Sequence, residues 1–157
     1  GGQGDRDRIL AIMKDPRSGP IAIVAIVLVL LNKFAALQML VAGDARAVLL
    51  LAPVLGRATI VLLLITTPYV RPDGLGLPYA SHLPRLSCGL LVLLVAIATV
   101  LLLEWQGGAL LAVLGIGFLG LRHGLRARLG GLTGDTLGAA CELAETATLL
   151  ALALSAD

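Results

Sequence analysis

From Pro20 to Ala42 the only charged side chain is Lys33, and across residues 47–69 the only one is Arg57. Residues 87–103 and 108–121 carry none, and a fifth apolar run, residues 133–155, holds three carboxylates, Asp135, Glu142 and Glu145. A bilayer core of ~30 Å takes ~20 helical residues. Within it every backbone N–H and C=O must be paired by the protein itself, which restricts crossing segments to helices or a closed barrel. Nothing here alternates with the two-residue period of a strand, so helices are the expectation. The composition agrees: 58% hydrophobic residues but only 3% aromatic, with a mean hydropathy of +0.97, places the chain outside the soluble range. The predicted fold is all-α, a polytopic transmembrane helix bundle of about five spans plus an N-terminal interfacial amphipathic helix. It forms a single membrane domain over 1–157, with 1–19 interfacial and 20–157 in the bundle. The fourth run is short for a crossing; tilt, an interfacial position and lengthening by its flanks all stay open.

Sidedness follows from the cations. Of twelve Lys and Arg, nine (Arg6, Arg8, Lys14, Arg17, Arg71, Arg85, Arg122, Arg126 and Arg128) fall on one side of the predicted bundle, against Arg46 on the other. By the positive-inside rule the nine-residue side is cytoplasmic, and a bacterial cytoplasmic (inner) membrane is the expected location. The net charge of +2 gives no reason to expect a nucleic-acid partner; the lipid bilayer is the expected one, and self-association into a homo-oligomer stays open. Cys88 and Cys141 have no metal-ligand spacing and read as packing residues, and His82 and His123 stand alone.

The polar clusters share the cytoplasmic side. In Asp5–Arg17, Ile9, Ile12 and Met13 have helical spacing and can lie on a membrane. Asp5, Asp7 and Asp15 have the oxygen ligands Mg²⁺ takes, and Arg8, Lys14 and Arg17 suit phosphates. The plainer alternative is an amphipathic anchor with ordinary charge balance. The loop Arg71-Pro72-Asp73-Gly74-Leu75-Gly76 offers a cation and glycines that let a ligand reach the backbone, or it is simply a connector. On an ideal helix Asp135 and Glu142 share a face with Glu145 about 80° round, and Gly130, Gly134 and Gly138 recur every fourth residue, which would admit another backbone or a bulky ligand. Lys33 and Arg57 lie at the depth of these glutamates, so at least one intramembrane pair is expected, Arg57–Glu145 or Lys33–Glu142, unless Lys33 snorkels to the outer interface. Pro53 and Pro68 are expected to kink or end the second span.

Four segments in order carry a family resemblance: Gly-Asp-Arg-Asp-Arg-Ile-Leu-Ala-Ile-Met-Lys-Asp-Pro-Arg-Ser-Gly-Pro (4–20), Leu-Leu-Leu-Ala-Pro-Val-Leu-Gly-Arg-Ala (49–58), Thr-Thr-Pro-Tyr-Val-Arg-Pro-Asp-Gly-Leu-Gly (66–76) and Gly-Leu-Thr-Gly-Asp-Thr-Leu-Gly-Ala-Ala-Cys-Glu-Leu (131–143). Together they resemble the cobalamin synthase (adenosylcobinamide-GDP ribazoletransferase) family. That resemblance implies a Mg²⁺-dependent transferase that joins adenosylcobinamide-GDP to α-ribazole or its 5′-phosphate with loss of GMP. It also implies Asp135 and Glu142 as catalytic groups. Arg8, Lys14, Arg17, Arg57 and Arg71 become substrate-binding cations, and Asp5, Asp7 and Asp15 metal ligands. Asp15 and Asp135 suit a metal or water; Glu142 suits orienting a base or the attacking hydroxyl.

The family's motif of the form Asp-Gly-x-Ala-Asp-x-x-Asp would precede Gly1, and the chain begins Gly1-Gly2-Gln3-Gly4 without a Met. The expectation is therefore a C-terminal portion holding part of the active site and inactive alone. Two alternatives compete. One is a CDP-alcohol-type membrane phosphotransferase, whose aspartate spacing is not found here. The other is a small multi-pass transporter or structural subunit. A cavity open on one side, with Asp135 and Asp15 within ~10 Å (room for a metal, its waters and a phosphate), favours the enzyme.

Overall fold

The structure, a computed structural model, describes residues 2–13, 19–42, 49–72, 74 and 76–155, with backbone alone for residues 2–4 and 7. Six helices follow in order: α1 (Gly2–Ile12), α2 (Pro20–Ala42), α3 (Leu51–Thr66), α4 (Leu77–His82), α5 (Arg85–Leu129) and α6 (Gly134–Leu154). Helix α2 has the bounds of the first predicted span. Helix α3 is shorter than the second: Pro53 sits in its first turn, where a missing N–H costs nothing, and the chain turns extended at Thr67, just before Pro68.

Helix α5 is a hairpin rather than a 45-residue rod. At Glu104 the backbone takes φ 53° and ψ −128°, which reverses the chain. Across the fold, a side chain at Gly107 would collide with the Thr99 carbonyl. Val92, Val95, Leu111 and Leu114, from both limbs, line one apolar cavity against α3. The limbs, residues 85–103 and 105–129, correspond to the third and fourth predicted spans, and the fourth is lengthened by its flanks into a helix long enough to cross.

Helix α6 lies at the centre, packed on α2, α3 and α5. At one end of the bundle Ala36, Leu40, Ala52, Leu149 and Leu152 form a core, and Gln106 near the hairpin tip donates to the Ser155 carbonyl at 3.4 Å. At the other end Leu63, Leu132, Leu137 and Ala140 pack together. This second end carries Arg6, Arg71, Arg122, Arg126 and Arg128, five of the nine cations predicted to share one side; Lys14 and Arg17 lie outside the described residues. Helix α2 buries only Ala36 and Leu40 and exposes a row of large aliphatics from Ile21 onward, the surface of a helix made for lipid.

Two expectations are corrected. The close approach of another helix to α6 is not through the Gly130/Gly134/Gly138 series: Gly130 is the left-handed C-cap of α5 (φ 76°), and Gly138 faces open space, which is compatible with the bulky-ligand alternative alone. Contact comes instead at Gly56 of α3, where a Cβ would stand 2.8 Å from Glu145 Cγ and 3.0 Å from Cys141 Sγ. The apolar face of α1 also differs. Ile9 packs along the second limb of α5 and Leu10 and Met13 line a cavity, whereas Ile12 is 64% exposed.

Candidate functional site

The junction between α5 and α6 builds the mouth of the site. Leu132 N–H donates to the Pro68 carbonyl at 2.8 Å, and Val70 N–H donates back to the Leu132 carbonyl at 2.9 Å. This two-bond bridge demands glycine at position 131, because a Cβ there would collide with the Pro68 carbonyl and the Val70 side chain. Beyond it Thr133 caps α6 reciprocally with Thr136: Thr136 N–H donates to Thr133 Oγ1 at 3.3 Å, and Thr133 N–H donates to Thr136 Oγ1 at 2.9 Å. Asp135 thus stands in the first turn of α6, where the helix dipole favours a carboxylate. With both strands of the bridge fixed, Arg71 Nη1 meets Asp135 Oδ2 at 3.0 Å. Leu10 and Met13 of the α1 segment cover the pair, enclosing with Val70 and Thr133 a cavity of about 90 Å³.

Deeper, three helices meet through charge. Lys33 Nζ of α2 lies 2.6 Å from Glu142 Oε2 and 2.8 Å from Glu145 Oε2 of α6, and Arg57 of α3 pairs with the other oxygen of Glu145. Both predicted intramembrane pairs form, and Lys33 does not snorkel. The inner members are shielded: the Lys33 and Glu145 side chains are 14% and 15% exposed, against 56% for Glu142 and 64% for Arg57. Two cations against two carboxylates leave the network neutral, which is what an apolar surrounding requires.

Of the sequence-derived set, the structure brings Arg71 to Asp135, and Arg57 and Glu142 into the deep network. Asp5 and Arg8 are exposed on α1; Lys14, Asp15, Arg17 and the Asp7 side chain lie outside the described residues. The Asp135–Asp15 separation lies outside them as well. Residues not in that set also matter. Lys33 and Glu145 are the hub of the network, although their depth matched. Arg6 lays its guanidinium beside Gly130, and Arg122 donates to the Thr66 carbonyl at 3.1 Å. Each keeps a buried Nε without a hydrogen-bond partner among the described residues. The loop glycines Gly74 and Gly76 admit the Tyr69 ring of the same chain. His82 bonds locally to Ser81 and the Pro78 carbonyl. Among the described residues no three His, Cys, Asp or Glu side chains converge as a metal cage.

Comparison with known proteins finds relatives along nearly the whole chain. Residues 1–153 match the family model described as cobalamin-5-phosphate synthase. An adenosylcobinamide-GDP ribazoletransferase of Pseudomonas syringae pv. syringae is 56% identical over 98% of this chain and 63% of its own length. Those of Pseudomonas putida and Pseudomonas fluorescens are 54% and 51% identical over the same share, covering 62% and 64% of their lengths. The chain thus spans a little under two thirds of the curated relatives it matches. No solved structure matches it significantly. With the family model covering nearly every residue and relatives more than half identical over 98% of its length, the chain belongs to the cobalamin-5-phosphate synthase family.

Proposed function

We propose that the chain serves adenosylcobinamide-GDP ribazole transfer, forming adenosylcobalamin or its 5′-phosphate from adenosylcobinamide-GDP and α-ribazole or its 5′-phosphate. The observation that supports it best is the strip along α6 that carries Asp135, held by Arg71, and Glu142, held by Lys33. One hydroxyl oxygen of the ribazole bonds to the cobinamide-linked phosphorus, the bond from that phosphorus to the GMP oxygen breaks, and the hydroxyl proton goes to a carboxylate. Such a reaction asks for positioned cations around the phosphates and a base near the hydroxyl. Arg71, with Arg8, Lys14 and Arg17 on the α1 side, is assigned to the phosphates, and Arg57 to substrate binding through the deep network. Asp135 and Glu142 are assigned to the proton and the hydroxyl.

Mg²⁺ is the proposed metal, and Asp5, Asp7 and Asp15 its proposed ligands. The described carboxylates do not fit that role unaided, since Asp135 and Glu142 are each engaged by a cation and no three described His, Cys, Asp or Glu side chains converge; no step is therefore routed through the metal. The excess of cations at that end supports a site on the cytoplasmic face of a bacterial inner membrane. The test uses membranes carrying the chain alone, and the chain extended to the length of its relatives, supplied with adenosylcobinamide-GDP, α-ribazole and Mg²⁺ while GMP release is followed. Asp135→Asn and Glu142→Gln should each lower turnover by on the order of 10²-fold or more. Absence of GMP release from the extended chain, or full activity in both variants, would remove the proposal.

A further inference from the structure

Arg122 stands on the second limb of α5, and its side chain crosses to the end of α3, where Nη2 donates to the Thr66 carbonyl at 3.1 Å. Thr66 is the last residue of α3. The final carbonyls of a helix lack partners within it and carry the negative end of its dipole, so a cation suits that place. The Nε of Arg122 is buried and unpartnered among the described residues, and the Thr66 carbonyl is the one acceptor its guanidinium meets among them. A buried donor left over in this way calls for a reason beyond helix capping.

The reason lies five residues along the chain, at Arg71. After Thr66 the backbone turns extended at Thr67, bridges to Leu132 through Pro68 and Val70, and reaches Arg71, whose Nη1 meets Asp135 at 3.0 Å. A pair of adjacent hydrogen bonds acts as a hinge, and a side chain one residue beyond it swings with the loop. The Arg122 contact supplies a second anchor two residues before Pro68, about 7 Å away along an extended chain. Both anchors belong to one limb. Arg122 lies about two turns before the Gly130 C-cap of α5, and Leu132 follows two residues after that cap. The loop is thereby fixed to the same rigid element that leads into α6 and sets Asp135. The geometry points to Arg122 as a positioning residue, which holds the 66–71 loop at the angle where Arg71 faces Asp135 and the substrate phosphates. This inference rests on the transfer reading above and deepens it, with Arg122 acting through Arg71 rather than on the substrate.

A double-mutant cycle on the extended protein in lipid nanodiscs separates positioning from support of the fold. Arg122→Gln, too short to reach Thr66, is made alone and together with Arg71→Gln, and kcat/KM is read from GMP release. Alone it should lower kcat/KM by about tenfold or more, the scale on which a small displacement of a binding group acts. In the Arg71→Gln background the same change should cost less than about twofold, because the group it positions is already gone. The thermal midpoint, followed by far-ultraviolet circular dichroism, should fall equally in the two backgrounds. Arg122→Lys keeps the charge but not the planar head, and should show the same pattern at about threefold; it decides the matter if Arg122→Gln does not fold. Equal activity losses with and without Arg71, or full activity in both Arg122 variants, overturns the inference while leaving transfer itself intact. An extended wild-type protein that releases no GMP removes the underlying reading, and this one with it.

Discussion

The network of Lys33, Arg57, Glu142 and Glu145 permits a quantitative test through Glu145→Gln. The substitution keeps the side chain's shape and one carbonyl acceptor, but it turns a neutral set of four charges into one with a net charge of +1. An unbalanced cation near a transmembrane helix centre costs about 2.5–3.5 kcal/mol on insertion scales. Breaking a buried pair from one side costs about 3–5 kcal/mol. Measured polar contacts between membrane helices are weaker, near 0.6 kcal/mol on average. The geometry decides where this case falls. Glu145 is 15% exposed and touches both cations, so it behaves as the hub; Arg57 is 64% exposed. A loss of about 2–3 kcal/mol is expected for Glu145→Gln, and a similar one for Lys33→Met, which leaves two carboxylates facing one exposed Arg. The double variant restores neutrality and should cost about 1–2 kcal/mol less than the sum of the singles. The assay is unfolding in mixed micelles by denaturing detergent, followed by far-ultraviolet circular dichroism. Additivity within about 0.5 kcal/mol would refute the claim that these charges balance one another.

Gly131→Ala should destabilise by about 2–3 kcal/mol and lower activity together, because its Cβ forces the Leu132–Pro68 bridge open and carries Arg71 away from Asp135; retention of native stability would contradict the bridge's role. Glu104→Gly should raise stability by about 1 kcal/mol in the same micelle assay, since φ 53° is a conformation glycine adopts without strain. Thr133→Ala removes the α6 cap and should cost about 1 kcal/mol, read as a lower melting midpoint. Arg71→Gln should separate stability from function: its pair with Asp135 is half exposed and contributes about 1 kcal/mol or less, whereas transfer should fall at least tenfold if Arg71 holds phosphate.

The membrane architecture was legible because an uninterrupted apolar run has few structural outcomes. The bounds of α2 could be read directly, and the Glu104–Trp105 interruption marked where α5 folds back. The local reversal at Glu104 was not legible, since neither glycine nor proline marks it. Close helix contacts were misread for a related reason. A regular series of glycines states that a helix has a smooth face, but not that another helix lies on it. Gly56, next to Arg57, was the residue that mattered, and its importance arises from the size of Glu145 and Cys141 on the facing helix. The docking of α1 similarly sets Ile9 against the second limb of α5, a property of two distant segments together.

For the site, depth counting was enough to pair Lys33 and Arg57 with the α6 glutamates, because unpaired charges at that depth are too costly to persist. It could not show that one carboxylate would serve two cations. That sharing has a consequence for Glu142. With Glu145 bridging Lys33 and Arg57, Glu142 gives one oxygen to Lys33 and has no partner for the other among the described residues. A carboxylate used only to neutralise a cation would be best shielded, as Glu145 is at 15% exposure; Glu142 at 56% is held at one end and open at the other. That asymmetry separates a structural glutamate from one available to a ligand, although the two lie three residues apart on the same helix.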